Sequence, residues 1–172
     1  MTVTQMTIAQ SMLPEFEQEM ANTRKLLERV PAAKSSWKPH PKSSELGALS
    51  AHIANMADWA SLTLEQDSFD YAPPGAPAYE TPKFASTEEL VAAFDKSVAQ
   101  ARTALSAADD AKMMAPWSLM AGGKIVMTMP RAAVIRTFVM NHIIHHRAQL
   151  GVYLRLNDIP IPGLYGPSAD EQ

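Results

Sequence analysis

The sequence predicts an all-α fold: a four-helix bundle with long connections and one short β-hairpin between the third and fourth helices. Three observations lead there. Apolar residues recur at intervals of three and four in four long stretches, and proline-rich segments separate them. Only PWSLMAGGKIVMTMP, from Pro116 to Pro130, has two short apolar runs around a Gly-Gly centre. Neither an internal repeat nor a second hydrophobic core is discernible, so residues 1–172 are read as one domain.

The first helix is expected from about Thr7 to Arg29, where Ile8, Met12, Phe16, Met20 and Leu27 share a face. Pro14 suits an early turn or the true start, and Pro31 is a stop signal just past the last apolar position. The linker PAAKSSWKPHPKSS follows, with Trp37 expected to pack onto the bundle as a lid and Ser43 or Ser44 to cap the next helix. That second helix, Glu45 to Gln66, carries the seam Leu46, Leu49, Ile53, Met56, Ala60 and Thr63, with His52 at the seam's edge. Residues Asp67 to Ser86 are expected to form a loop, because four prolines exclude regular structure; Phe69, Tyr71, Tyr79 and Phe84 should pack it down.

Ser86 and Glu89 form a capping-box pattern that opens a third helix bearing Leu90, Phe94, Val98, Ala101 and Leu105; Asp109 and Asp110 end it. The glycines of Ala-Gly-Gly-Lys supply the positive dihedrals of a tight hairpin turn. Pro130 suits the first turn of the fourth helix, which continues to about Leu156. The tail NDIPIPGLYGPSADEQ is expected to be stiffened by its prolines and then to fray.

Composition narrows the function. Hydrophobic residues at 47% and charged residues at 19% describe an ordinary globular protein, and a formal net charge of −3 gives no electrostatic reason to expect nucleic acid. The absence of cysteine removes disulfides, thiolate ligands and a cysteine nucleophile together. No signal peptide and no run of about 18 apolar residues is present, so no membrane partner is expected and a cytoplasmic location is.

The chemistry lies in the histidines. Three of the five, His142, His145 and His146, fall in NHIIHHRAQLGVYLR; His52 lies on the second helix and His40 in the linker. Residues four apart on a helix project within reach of a common ion, which favours His142 with His146; His142 with His145 is the competing pair. Gln149 and Tyr153 continue the His142–His146 stripe, while Arg147 is turned well away and is expected in a structural ion pair or a subunit contact. If the two helices face one another, His52 completes three nitrogens and leaves a coordination position open, as in catalytic rather than structural zinc sites. Imidazole-only ligation also suits nickel, copper or iron(II).

A lone inward histidine is more often a hydrogen-bonded core residue than a ligand, and it is the convergence of two helices that favours metal. No Glu stands three before a histidine, as a ferritin-like di-iron site needs, and Ile143 sits where a zincin helix has its Glu. No general base is evident, so no catalytic residue is assigned. Asn55, Gln149 and Tyr153 are the nearest polar groups on these faces. The methionines and the three tryptophans read first as packing.

The run HxxxHRxQLxxYLRLNxxPxPxLYGPS, together with the upstream SELGALSAHIANM, resembles the DinB-like family of DNA-damage-inducible proteins. The preceding ERVPAAKSSWKPHPKSSELG is similar to that family's approach to its second helix, and the resemblance spans nearly the whole chain. It implies a four-helix bundle holding a divalent metal, usually nickel or zinc, at His52, His142 and His146; His145 then falls in the variable place before the last ligand. It implies a homodimer paired through the bundle, and no DNA binding despite the name. Related proteins transfer low-molecular-weight thiols, isomerise thiol-dependent substrates or are described as metal-dependent hydrolases. Two readings follow. One is an enzyme that uses a metal-bound thiolate or water on a small-molecule substrate. The other is a non-catalytic, stress-induced bundle that binds metal or a small ligand.

Overall fold

Helix α1 (Ile8–Leu27) begins at a reciprocal cap: Thr7 Oγ1 accepts from the Gln10 amide at 3.2 Å, and Gln10 Oε1 accepts from the Thr7 amide at 2.9 Å. Pro14 is therefore interior and does not mark the start. The computed structural model describes residues 6–75, 77 and 81–171; Tyr79, expected to help pack its loop, lies outside them.

Beyond Pro31 the chain makes a 3₁₀ turn (Ala32–Lys34) and lays its backbone on the start of α2 (Leu46–Met56). Neither Ser43 nor Ser44 caps this helix. Glu45 holds the N-cap position without a side-chain bond, and the carbonyls of Trp37 and Ser35 accept from the Leu46 and Gly47 amides, both at 2.8 Å. Gly47 is required by this approach, because a Cβ there would lie 2.9 Å from the Ser35 Cβ.

The expected second helix is broken at Ala57 into α2 and α3 (Asp58–Glu65). No glycine or proline causes the break. The Asn55 side-chain amide donates to the Ala51 carbonyl at 2.7 Å, and the Ala60 amide reaches back only three residues, to Ala57. The seam itself is as expected, with Leu46, Leu49, Ile53, Met56, Ala60 and Thr63 all buried.

The following segment is not wholly irregular. Ser68–Asp70 forms a strand, β1, pairing parallel with β2 (Pro116–Ala121), which pairs antiparallel with β3 (Lys124–Pro130). The β2–β3 hairpin is the one expected, with Gly122 and Gly123 at φ 60° and 76° in its turn. Asp70 fastens β1 to that turn by accepting from the Gly122 and Gly123 amides at 3.1 and 2.7 Å.

Ser86 caps α4 (Thr87–Ala107), though the Glu89 carboxylate returns to the Ala85 amide in place of the Ser86 one. Asp109 and Asp110 do more than follow its end. Asp109 caps a short helix α5 (Asp110–Met114), and the Asp110 carboxylate accepts from the Ile8 amide at the head of α1.

The last rod is continuous from Arg131 to Arg155 but not uniform: α6 (Arg131–Val134), a π-helical stretch (Ile135–Met140) and α7 (Asn141–Arg155). Its tail does not fray within the described residues. The Asp170 carboxylate accepts from Arg155 at 2.9 Å, and Glu171 accepts from the Gly163 and Ser168 amides.

The molecule is thus mostly helical with a small three-stranded sheet. Helices α1 and α2 each pack on α4 and α7, while α3 lies on α4. One apolar cluster fills the space between them, including Phe16, Phe94, Leu105 and Leu150, and among the methionines Met12, Met20, Met56, Met113 and Met140. Truncating either buried phenylalanine to alanine costs about 3–5 kcal/mol by the usual cavity arithmetic. Among the described residues no helix is long and apolar enough to cross a membrane.

Candidate metal centre

Helices α2 and α7 pack on one another, and that contact brings together histidines ninety residues apart in the chain. One nitrogen from each of His52, His142 and His146 can be chosen so that all three lie within 4.8 Å of one another. The ring centroids of His52 stand 5.4 Å from His142 and 4.8 Å from His146, and those of His142 and His146 are 4.6 Å apart. All three side chains are half-buried. Among the described residues this is the one group of three or more histidines and carboxylates able to hold an ion, and it contains no carboxylate.

The hydrogen bonds fix which nitrogens are free. His146 Nδ1 donates to Gln149 Oε1 at 2.7 Å, which leaves its Nε2 with a lone pair. That Nε2 lies 2.8 Å from His142 Nε2. A single proton shared between them accounts for the contact, and a cation can take its place and engage both lone pairs.

Electrostatics work in the same direction. Burial, then repulsion from His146 and His142, pushes the His52 imidazole down to about 4. Burial also lowers His142, aided by His146 and offset by a backbone hydrogen bond to Phe138. His146 is lowered chiefly by burial, with the Gln149 hydrogen bond opposing. Three neutral imidazoles at pH 7 are the form in which nitrogen ligates a metal. The donor set therefore fits a divalent ion that accepts imidazole, and with three protein ligands a coordination position stays open for another molecule.

The other sequence candidates are disposed as follows. His145 is exposed, its ring 4.9 Å from that of His146, and it is not in the group of three. His40 lies in the exposed linker, its Nδ1 accepting from the Lys42 amide. Asn55 spends its amide on its own helix. Tyr153 meets Trp37 edge to face at 5.5 Å, which anchors the linker against α7, and Trp59 meets Phe69 of β1 at 5.9 Å. Trp117 is buried packing. Arg147 is the structural ion pair expected: it is 2% exposed and bonded to Glu19 of α1 at 2.6 Å.

Two features that position this site escape sequence reasoning. Arg131, also 2% exposed, donates to the carbonyls of Thr63 at 2.9 Å, Pro116 at 3.1 Å and Gln66 at 3.2 Å, and pairs with Asp67. It ties the end of α3 and the base of the hairpin to the head of the histidine rod. The π-helical stretch ends two residues before His142; such insertions recur at functional sites, and nothing in IRTFVM announces one.

The sequence model of the DinB superfamily matches residues 15–150. No curated protein matches the chain. Among solved structures, a DinB-like protein from Bacillus cereus is similar with a TM-score of 0.71 at 23% identity, covering 93% of this chain and 99% of its own. A DinB-like protein from Bacillus subtilis, YjoA, is similar with a TM-score of 0.66 at 17% identity, covering 94% and 99%. At these identities the two structures speak to the fold alone.

Proposed function

Because the chain belongs to the DinB superfamily, we propose that His52, His142 and His146 hold a divalent metal ion, nickel or zinc, and that this centre makes the protein a metal-dependent enzyme acting on a small molecule. The observation that carries the reading is the meeting of three imidazole nitrogens within 4.8 Å, from two helices and with no carboxylate among them. A divalent ion so held supplies one thing, a lowered pKa for a water or thiol bound beside it.

Thiol transfer is favoured over hydrolysis. Hydrolysis needs a base to manage the protons of water and amine or alcohol, and the three-histidine group contains no carboxylate to serve as one. In transfer, the thiol sulfur bonds to an electrophilic carbon, the leaving group departs with its bonding pair, and the thiol proton passes to solvent. The protein's own residues orient the ligands: Gln149 holds the His146 tautomer, and the Trp37–Tyr153 contact fixes the linker beside the stripe. In the same reading, α1, α2 with α3, α4 and α7 are the four helices of the family bundle, and the protein is a cytoplasmic homodimer with neither nucleic acid nor membrane as partner.

The test is to incubate metal-loaded protein with glutathione, bacillithiol or mycothiol and an electrophile. Accelerated conjugation is expected; equal rates with His142→Ala would overturn the reading. Stoichiometric metal without turnover on any thiol or ester would favour the other role, a non-catalytic metal- or ligand-binding bundle.

A further inference from the structure

A cavity of about 310 Å³ lies between the linker, the start of α2 and the segment that leads into α4. None of the three clustered histidines lines it. Its apolar surface is made by Val30, Ala51 and Leu90, all buried, and by Phe84. Several of its polar groups are already engaged: Ser50 donates to the Leu46 carbonyl, Thr87 to the Val30 carbonyl, and Ser86 caps α4. The remaining lining hydroxyls belong to Ser35, Ser36 and Thr81.

Two charged residues line the cavity, and they have opposite sign, come from different segments and are both exposed at its rim. Glu45 sits at the N-cap of α2, and Lys83 lies in the segment before α4. A molecule in the cavity therefore has a carboxylate, an ammonium and an aliphatic surface among its neighbours. The volume stands at the lower end of small-molecule sites, which run from roughly 300 to 1,000 Å³. It has room for a metabolite of amino-acid size.

We propose that this cavity binds a free α-amino acid with an aliphatic or thioether side chain, at a site separate from the histidines. The ligand's carboxylate faces Lys83 and its ammonium faces Glu45. Its side chain lies on Val30 and Leu90, and the hydroxyls of Ser35, Ser36 and Thr81 take up the remaining hydrogen bonds of the head group. Specificity then rests on both charges of the ligand, since either one left against the wrong or a missing partner is penalised.

The test uses the full chain and calorimetric titration with L-leucine, L-methionine, N-acetyl-L-leucine and L-leucinamide. The free amino acids should bind, and each derivative should bind more weakly, by up to about fivefold. Lys83→Met should erase the difference between leucine and leucinamide, and Glu45→Gln that between leucine and N-acetyl-leucine. Ala48→Trp, at an exposed position on the cavity's edge, should abolish binding while leaving metal content and thermal midpoint unchanged. The proposal is overturned if no amino acid binds at about 10 mM, if the derivatives bind as well as leucine, or if Ala48→Trp binds like the parent. Should Ala48→Trp lower the thermal midpoint, the two charge variants decide the matter.

Discussion

Glu19 on α1 and Arg147 on α7 form an ion pair 2.6 Å long with both side chains almost wholly removed from water. Arg147 also donates to the Glu19 carbonyl at 3.0 Å, and the Tyr165 hydroxyl donates to the same carboxylate at 2.7 Å. The pair lies one residue from His146 yet on another face, so it holds α7 against α1 while the histidines face α2. Glu19→Ala would leave the guanidinium buried and unpaired, and should cost about 3–5 kcal/mol in urea denaturation. Tyr165→Phe removes two charge-assisted bonds, one to Glu19 and one from Arg147, but on an exposed ring, and should cost about 1 kcal/mol. Similar losses in the two variants would contradict the burial of the pair.

Replacing His52, His142 or His146 singly by alanine should abolish stoichiometric metal in elemental analysis of untagged protein, whereas His145→Ala should retain it. Retention by His146→Ala with loss in His145→Ala would show that the competing pair is the ligating one.

Gln149→Ala should leave all three ligands in place and still weaken metal affinity by about 10- to 100-fold, because the His146 ring loses the acceptor that fixes its tautomer. A competition titration against a chromophoric chelator measures this. Unchanged affinity would mean that the Gln149 hydrogen bond does not orient the ligand.

The metal-free protein should lose stability as pH falls. The folded His52 resists protonation down to about 4, while the unfolded side chain accepts a proton near 6.5. Below that upper value the unfolded state binds more protons, so stability declines between pH 6.5 and 4 and levels off below. The burial-driven shifts of His142 and His146 have the same sign. The His52 contribution is at most about 3 kcal/mol. Denaturation in chelator at the two ends of this window should give a smaller difference for His52→Gln than for the parent.

Arg131→Met keeps the bulk of the side chain but deserts three backbone carbonyls and Asp67. A cost of about 2–4 kcal/mol is expected, since bonds to a charged donor are the stronger kind. Hydrogen exchange should rise first in β1 and the β2–β3 hairpin. Faster exchange confined to α1 would place the role of Arg131 elsewhere.

Much of this was legible because helical periodicity is local. The buried faces of α1 and α4, the hairpin around Gly122-Gly123 and the His142–His146 pair follow from spacing alone. His52 needed the assumption that its helix faces the last one. What was not legible depends on partners far along the chain. Strand β1 has only three residues among prolines, and its partner β2 lies fifty residues on. The start of α2 is capped by linker carbonyls, which carry no sequence signature. The break at Ala57 comes from a side-chain amide competing for a backbone carbonyl. Arg131 reads in sequence as an ordinary solvated charge, and only the fold reveals it among carbonyls.

The wide turns at Ile135–Met140 set the phase of the final rod. Eleven residues bring two side chains of a regular helix back to nearly the same side, and eleven residues separate Arg131 from His142. A straight α-helix would therefore aim the guanidinium and the imidazoles in one direction. The wider turns uncouple the two headings, so one rod grips the end of α3 at its head and presents nitrogen to α2 further along. Tightening this stretch to regular α turns with every residue kept would rotate the two halves out of register. The hairpin and the histidines would then demand incompatible settings of the same rod, and one of them would have to let go.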